Sequence, residues 1–139
     1  METTTTTEVL DLVQAWAATE LSGDVEAYGP LFADDFQGIG PVGFVLDKDR
    51  WEQRHRGDVV NEKFEILEPH VRHYGDTALV EAVQRQKTVA RGRDASALFR
   101  VLLVLVRRDE RWVIANVQLS GPLVAPGETA PWLKEKRGE

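Results

Sequence analysis

The stretch LFADDFQGIGPVG, residues 31–43, decides the fold, because a helical pattern reaches it and a strand pattern leaves it. Before it, Val25, Tyr28, Leu31 and Phe32 keep helical spacing, but Gly29-Pro30 interrupts them. A proline inside a helix removes a hydrogen bond and clashes with the preceding turn, so a break is expected there. Residues 36–39 then read as a short strand, and Gly40, Pro41 and Gly43 turn the chain. Asp34 and Asp35 sit at this junction. Adjacent carboxylates beside a glycine bend suit either an acid/base site or a scaffold role.

Upstream, Thr5 with Glu8 three residues later reads as a capping box, and residues 1–7 as a flexible start. Val9, Leu12, Val13, Trp16 and Ala17 follow i, i+3, i+4, i+7, i+8, the pattern of one buried helical stripe. Gly23 is expected as its left-handed stop, and Asp24 as the cap of the next helix. Downstream, Asp47 is a good N-cap for a third helix that ends at Gly57. From Glu62 the period falls to two. Residues 63–74 and 77–89 read as strands joined at Gly75-Asp76, followed by strands over 98–107 and 111–119 around an Arg108-Asp109-Glu110 turn. Helices followed by an antiparallel meander are an α+β pattern. One domain over residues 8–124 and a tail over 125–139 with a lone Trp132 complete the expected organisation.

The 139 residues fit one core, with 42% hydrophobic and 29% charged residues, as in ordinary globular domains. A net charge of −6 argues against a nucleic-acid or anionic-membrane surface, which needs a basic footprint. With no cysteine, disulfides, thiol nucleophiles and thiolate metal sites are excluded. No basic-then-apolar leader opens the sequence, so a cytoplasmic address is expected.

The helix ending in Gly23-Asp24, then ADD-FQGIG-PVG, LDKDRWEQR, YGDTALV, FRVLLVLVRRDERW and VIANVQLS stand in the order of a known superfamily. Over roughly residues 8–121 the chain resembles nuclear transport factor 2-like proteins, in their SnoaL-like and ketosteroid isomerase-like branch. The resemblance implies a cystatin-like cone, a curved antiparallel sheet wrapped around N-terminal helices, with a pocket at its wide end. It also implies that function does not follow from fold, since the superfamily holds isomerases, cyclases, dehydratases and non-catalytic binding modules. Matched residue by residue, the isomerase's aspartate base falls on Gly40. Its oxyanion-hole tyrosine falls on Trp16, and its protonated acid on Leu102 or Val104. With all three changed, steroid-type isomerase chemistry is not expected.

Two functions stay open: a proton-transfer enzyme (isomerase, cyclase or dehydratase) on a small organic substrate, or a non-catalytic dimer that binds a small molecule or a protein. By family analogy the pocket walls are Trp16, Tyr28, Phe32, Phe36, Trp51, Leu102, Val104 and Val117. Asp35, His55 and Arg100 are the candidate catalytic groups, Asp35 or His55 as base and Arg100 as anion stabiliser. Each has a plainer reading. Asp35 can belong to the scaffold, His55 can be a solvated histidine between Arg54 and Arg56, and Arg100 can pair with Asp35 or Glu81. Strand alternation puts Asn116 and Gln118 on an outer sheet face with Trp112 and Ile114, a mixed surface suited to a homodimer. His70 and His73, three apart on a strand, face opposite ways and cannot share a metal. The expected partners are therefore a small hydrophobic molecule and a second copy, with no metal, cofactor, nucleic acid or membrane.

Overall fold

The computed structural model describes residues 2–56 and 59–123. Helix α1 (Glu2–Ser22) is followed by a short 3-10 turn (Val25–Tyr28), strands β1 (Phe32–Ile39) and β2 (Val45–Asp47), and helix α2 (Lys48–Gln53). A second 3-10 turn (Arg54–Arg56) leads to β3 (Val59–Tyr74), β4 (Thr77–Ala90), the short β5 (Arg93–Asp94), β6 (Ala97–Arg108) and β7 (Arg111–Ser120). The sheet is seven-stranded, in the order β2-β1-β7-β6-β4-β3 with β5 beside β4. It is curved and unclosed, and α1 lies against β3 and β7, so the architecture is the expected α+β cone.

The meander β3-β4-β6-β7 is antiparallel throughout, with β3 and β4 turning at Gly75, where φ is +61°. The sheet is nevertheless mixed. β1 pairs with β7 in parallel, Gly38 opposite Val117. The β1–β2 hairpin thereby carries the glycine bend to the edge of the sheet.

Helix α1 buries Val9, Val13, Trp16 and Ala17 as its pattern requires. Burying side chains the size of Val9 and Val13 contributes about 1.5–3 kcal/mol each. Gly23 ends the helix at φ +72°, its amide donating to the Thr19 carbonyl at 2.9 Å. The capping box at Thr5 does not form, because the helix already runs from Glu2. Instead the hydroxyl of Thr6 meets His73 Nε2 of β3 at 3.0 Å, tying the first turns to the sheet. The 3-10 turn stops at Tyr28, just before Gly29-Pro30, and Phe32 already belongs to β1. Asp34 and Asp35 therefore lie within a strand rather than at a helix end. Asp47 caps α2 as expected, accepting from the Arg50 amide at 2.9 Å. The expected stop at Gly57 and the tail over 125–139 lie outside the described residues.

One expected facing is reversed. Trp112 and Ile114 are buried in the core, together with Val117. The register shifts at Ala115: Leu105 opposes Ile114, whereas its neighbour Val104 opposes Asn116. This bulge inserts one residue, so the inward parity changes along β7. Asn116 and Gln118 remain opposite Val104 and Leu102, away from the core.

Candidate functional site

The stripe of α1 does not end with its apolar residues. Continuing 9, 13 and 16 at helical period reaches Glu20, whose side chain is 1% exposed. Such a carboxylate must be paired to persist inside a protein. Its partners come from α2 and the turn after it. Trp51 Nε1 donates to Oε2 at 2.7 Å. Arg54 Nη2 donates to Oε1 at 2.8 Å and Oε2 at 3.0 Å. His55 Nε2 lies 3.4 Å from Oε1 and 2.9 Å from the Tyr28 hydroxyl. The Arg54 guanidinium also sits 4.0 Å over the Trp51 ring, and its Nε donates to the Trp51 carbonyl at 3.0 Å.

Burial alone would raise the pKa of Glu20. The charge of Arg54 and the hydrogen bonds from His55, Trp51 and Arg54 outweigh it, and hold the carboxyl at about 2 instead of 4.5. Glu20 is thus a fixed anion at neutral pH. Burial and the neighbouring Glu20 charge push the Tyr28 phenol well above its ordinary value, so it stays protonated.

Glu20, Trp51 and Arg54 of this cluster line a cavity of about 220 Å³. Leu46, Trp51, Phe64, Phe99 and Leu119 give it apolar walls. The β1–β2 bend closes one side, with Gly40, Pro41 and Phe44. Gly40 has a direct role there: a Cβ would lie 2.8 Å from Phe44 Cζ, so the bare backbone makes room for that ring. Gly38, further down β1, is glycine for a similar reason, since a Cβ there would overlap the ring of Trp51.

Strand β4 supplies the polar side. Its inward residues are Ala78, Val80 and Ala82 in the core, then Gln84, Gln86, Thr88 and Ala90 at the cavity. Thr88 Oγ1 donates to Asn61 Oδ1 at 2.6 Å, and Asn61 Nδ2 donates to the Glu20 carbonyl at 2.8 Å. Gln84 Nε2 donates to Gln86 Oε1 at 2.7 Å, while the buried Gln84 Oε1 has no partner among the described residues.

The residues expected from sequence fall into different places. Trp51 lines this cavity. Trp16, Tyr28, Phe32, Phe36 and Val117 are buried in the core. There Phe32 and Phe36 stack at 3.9 Å, and Phe36 meets Trp51 edge-on at 5.6 Å. Trp16 packs edge-on against Phe64 at 5.3 Å, its indole N–H unpartnered among the described residues. Leu102 and Val104 are half-buried and face away from the core residues Val101, Leu103 and Leu105. His55 is not solvated: its side chain is buried beside Glu20, and it borders a small crevice on the far side with Ser22 and Gly23. Asp35 is exposed and 3.5 Å from Arg108, and Asp34 is 3.8 Å from Lys48. Surface pairs of this kind contribute little, about 0–1 kcal/mol. Arg100 is exposed. The partner expected for it at Glu81 is held by Arg72, at 2.9 Å. Asp35, His55 and Arg100 are thus not brought together. The residues missed from sequence are Glu20, Arg54, Asn61, Gln84 and Thr88. Their signal was a polar group at an inward position of an otherwise apolar periodicity.

A cone of this topology, N-terminal helices against a curved, unclosed mixed sheet, is the nuclear transport factor 2-like class of protein. Within that class, a SnoaL-like domain model matches residues 9–125, and the chain belongs to the SnoaL-like family. A nuclear transport factor 2-like protein of unknown function from Prochlorococcus is similar at 27% identity, with a TM-score of 0.76 over 86% of this chain and 94% of that one. A nuclear transport factor 2-like protein from Cytophaga hutchinsonii gives 21% identity and a TM-score of 0.76 over 81% and 94% of the two chains. A putative calcium/calmodulin-dependent kinase II association domain from Exiguobacterium sibiricum gives 20% identity and a TM-score of 0.79 over 87% and 95%. No curated protein matches the chain. Among the described residues, no helix is long and apolar enough to cross a membrane.

Proposed function

We propose that this SnoaL-like domain is a small-molecule-binding module, and that proton transfer is not its task. The observation that carries this reading is the pairing of Glu20 with Arg54, the two charged residues of the cavity wall among the described residues. A general base works best with a pKa near the operating pH. Glu20, held at about 2 and hydrogen-bonded through both oxygens, is a poor base and a poor acid. Apolar walls with a few convergent polar groups are instead what a binding pocket needs.

The test is a thermal-shift screen of small cyclic compounds against the intact chain and Leu119→Trp, which fills the cavity from β7. Binders should raise the Tm of the parent and leave that of the variant unmoved. Turnover of any hit, abolished in Glu20→Gln, would overturn the reading in favour of an enzyme.

A second copy of the chain is the partner proposed for the outer face of the sheet. Leu79, Val83, Leu102, Val104 and Val106 lie half-buried there, with Asn116 and Gln118 opposite Val104 and Leu102. Such a mixed surface suits association. Light scattering should give twice the 15.6 kDa chain mass, and Leu102→Glu should halve it. A monomer at micromolar concentration would refute the dimer.

A further inference from the structure

The hydrogen bonds of strand β4 select what the cavity can hold. Gln86 Nε2 faces the carbonyl of Ala95 at 3.3 Å. A carbonyl oxygen only accepts, so the amide nitrogen of Gln86 must point that way, and its Oε1 must point to Gln84. Gln86 Oε1 in turn requires a donor, so Gln84 presents its Nε2 there, at 2.7 Å. The orientation of Gln84 is thereby fixed by its neighbours Gln86 and Ala95 on the cavity wall. It has left one further N–H and its Oε1, and that Oε1, an acceptor, is buried with no partner among the described residues, in a side chain of the cavity wall that is 2% exposed.

Thr88, four residues along the same face, reinforces this polarity. Asn61 is oriented by donating to the Glu20 carbonyl, so its Oδ1 takes the Thr88 hydroxyl proton. Thr88 Oγ1 is left with acceptor lone pairs alone. Two acceptors on one side repel a carboxylate, and Glu20 already neutralises Arg54 on the other. The favoured ligand is therefore neutral and carries a hydrogen-bond donor. Its body must suit Phe64, Phe99 and Leu119 in about 220 Å³. Benzene fills an apolar cavity of about 150 Å³, so one substituted ring fits here.

We propose that the cavity takes a neutral single-ring alcohol or phenol, its hydroxyl donating to Gln84 Oε1. This rests on the binding reading above and goes beyond it in naming the ligand chemistry. The experiment is calorimetric titration of the full chain with phenol, toluene and benzoate, repeated on Gln84→Met, which keeps the side-chain length and removes the acceptor. The parent should bind phenol at least about tenfold more tightly than toluene, the ratio one buried hydrogen bond supplies, and benzoate most weakly. Gln84→Met should lose that preference while still binding toluene, which also reports that it is folded. Equal affinity of the parent for phenol and toluene would overturn the proposal and leave the binding reading standing. So would a phenol preference that survives in Gln84→Met. Failure of the parent to bind any of the three would overturn both.

Discussion

Replacing Glu20 with glutamine tests the charge cluster that lines the cavity. The substitution keeps the shape and removes the charge. It leaves Arg54 without its anion, and sets an amide against one of the donors Trp51, Arg54 or His55. The magnitude follows from the pKa of about 2 against the ordinary 4.5. At ~1.36 kcal/mol per pKa unit, that gap is worth about 3 kcal/mol to the folded state. Glu20 is wholly buried, so solvent does not screen this contribution. Breaking a buried ion pair by removing one partner costs about 3–5 kcal/mol, which agrees. Because the folded-state pKa is the lower one, the stabilisation is complete above pH 4.5 and is lost as pH falls toward 2. Urea unfolding followed by tryptophan fluorescence measures it. At neutral pH Glu20→Gln should unfold at roughly 1–3 M less urea than the parent, for a slope of ~1–3 kcal/mol per molar. Between pH 4.5 and 2 the two curves should converge, as the parent loses its advantage. Equal midpoints at neutral pH, or a gap unchanged on acidification, would refute the assignment of Glu20 as a stabilising buried anion.

Other perturbations probe the same architecture. Gly38→Ala drives a methyl into the buried Trp51 ring and should destabilise by about 1–3 kcal/mol in the same unfolding assay. Thr88→Val leaves Asn61 Oδ1 buried without its donor and should cost about 1–3 kcal/mol, with no change in the pH dependence carried by Glu20. Phe44 is 54% exposed yet borders the cavity, so Phe44→Ala should open the entrance. Stopped-flow fluorescence should then show ligand release faster by roughly tenfold, at about 1.4 kcal/mol of lost contact. Gly40→Ala should act in the same direction, because its Cβ displaces the Phe44 ring.

Much of the fold was legible because it is written in short-range patterns. Alternation over β3, β4 and β6, the Gly75 turn, the Gly23 stop and the Asp47 cap are each decided by neighbouring residues. What escaped depends on distant ones. The start of β1 at Phe32 is set by pairing with Ile114 of β7, which overrides a helical spacing that Phe32 also satisfies. The bulge at Ala115 flips Trp112 and Ile114 inward, and nothing in their local alternation marks it. The site was half legible. Glu20 sits on the same stripe as Val13 and Trp16, and continuing the period would have flagged it. Its partners Trp51 and Arg54 are 31 and 34 residues away, and no spacing rule joins them. The acids that drew the eye, Asp34 and Asp35, are surface groups with basic partners. Gly40, where an isomerase-like relative would carry its base, is where this chain seats the Phe44 ring.

A crystal structure of the chain soaked in phenol tests the account most directly. It should place one ring among Phe64, Phe99 and Leu119, with the phenol oxygen about 3 Å from Gln84 Oε1. The Glu20–Arg54 pair beneath it should be unbroken. A cavity left to water, with phenol on the outer sheet face or in the crevice beside His55, would contradict it.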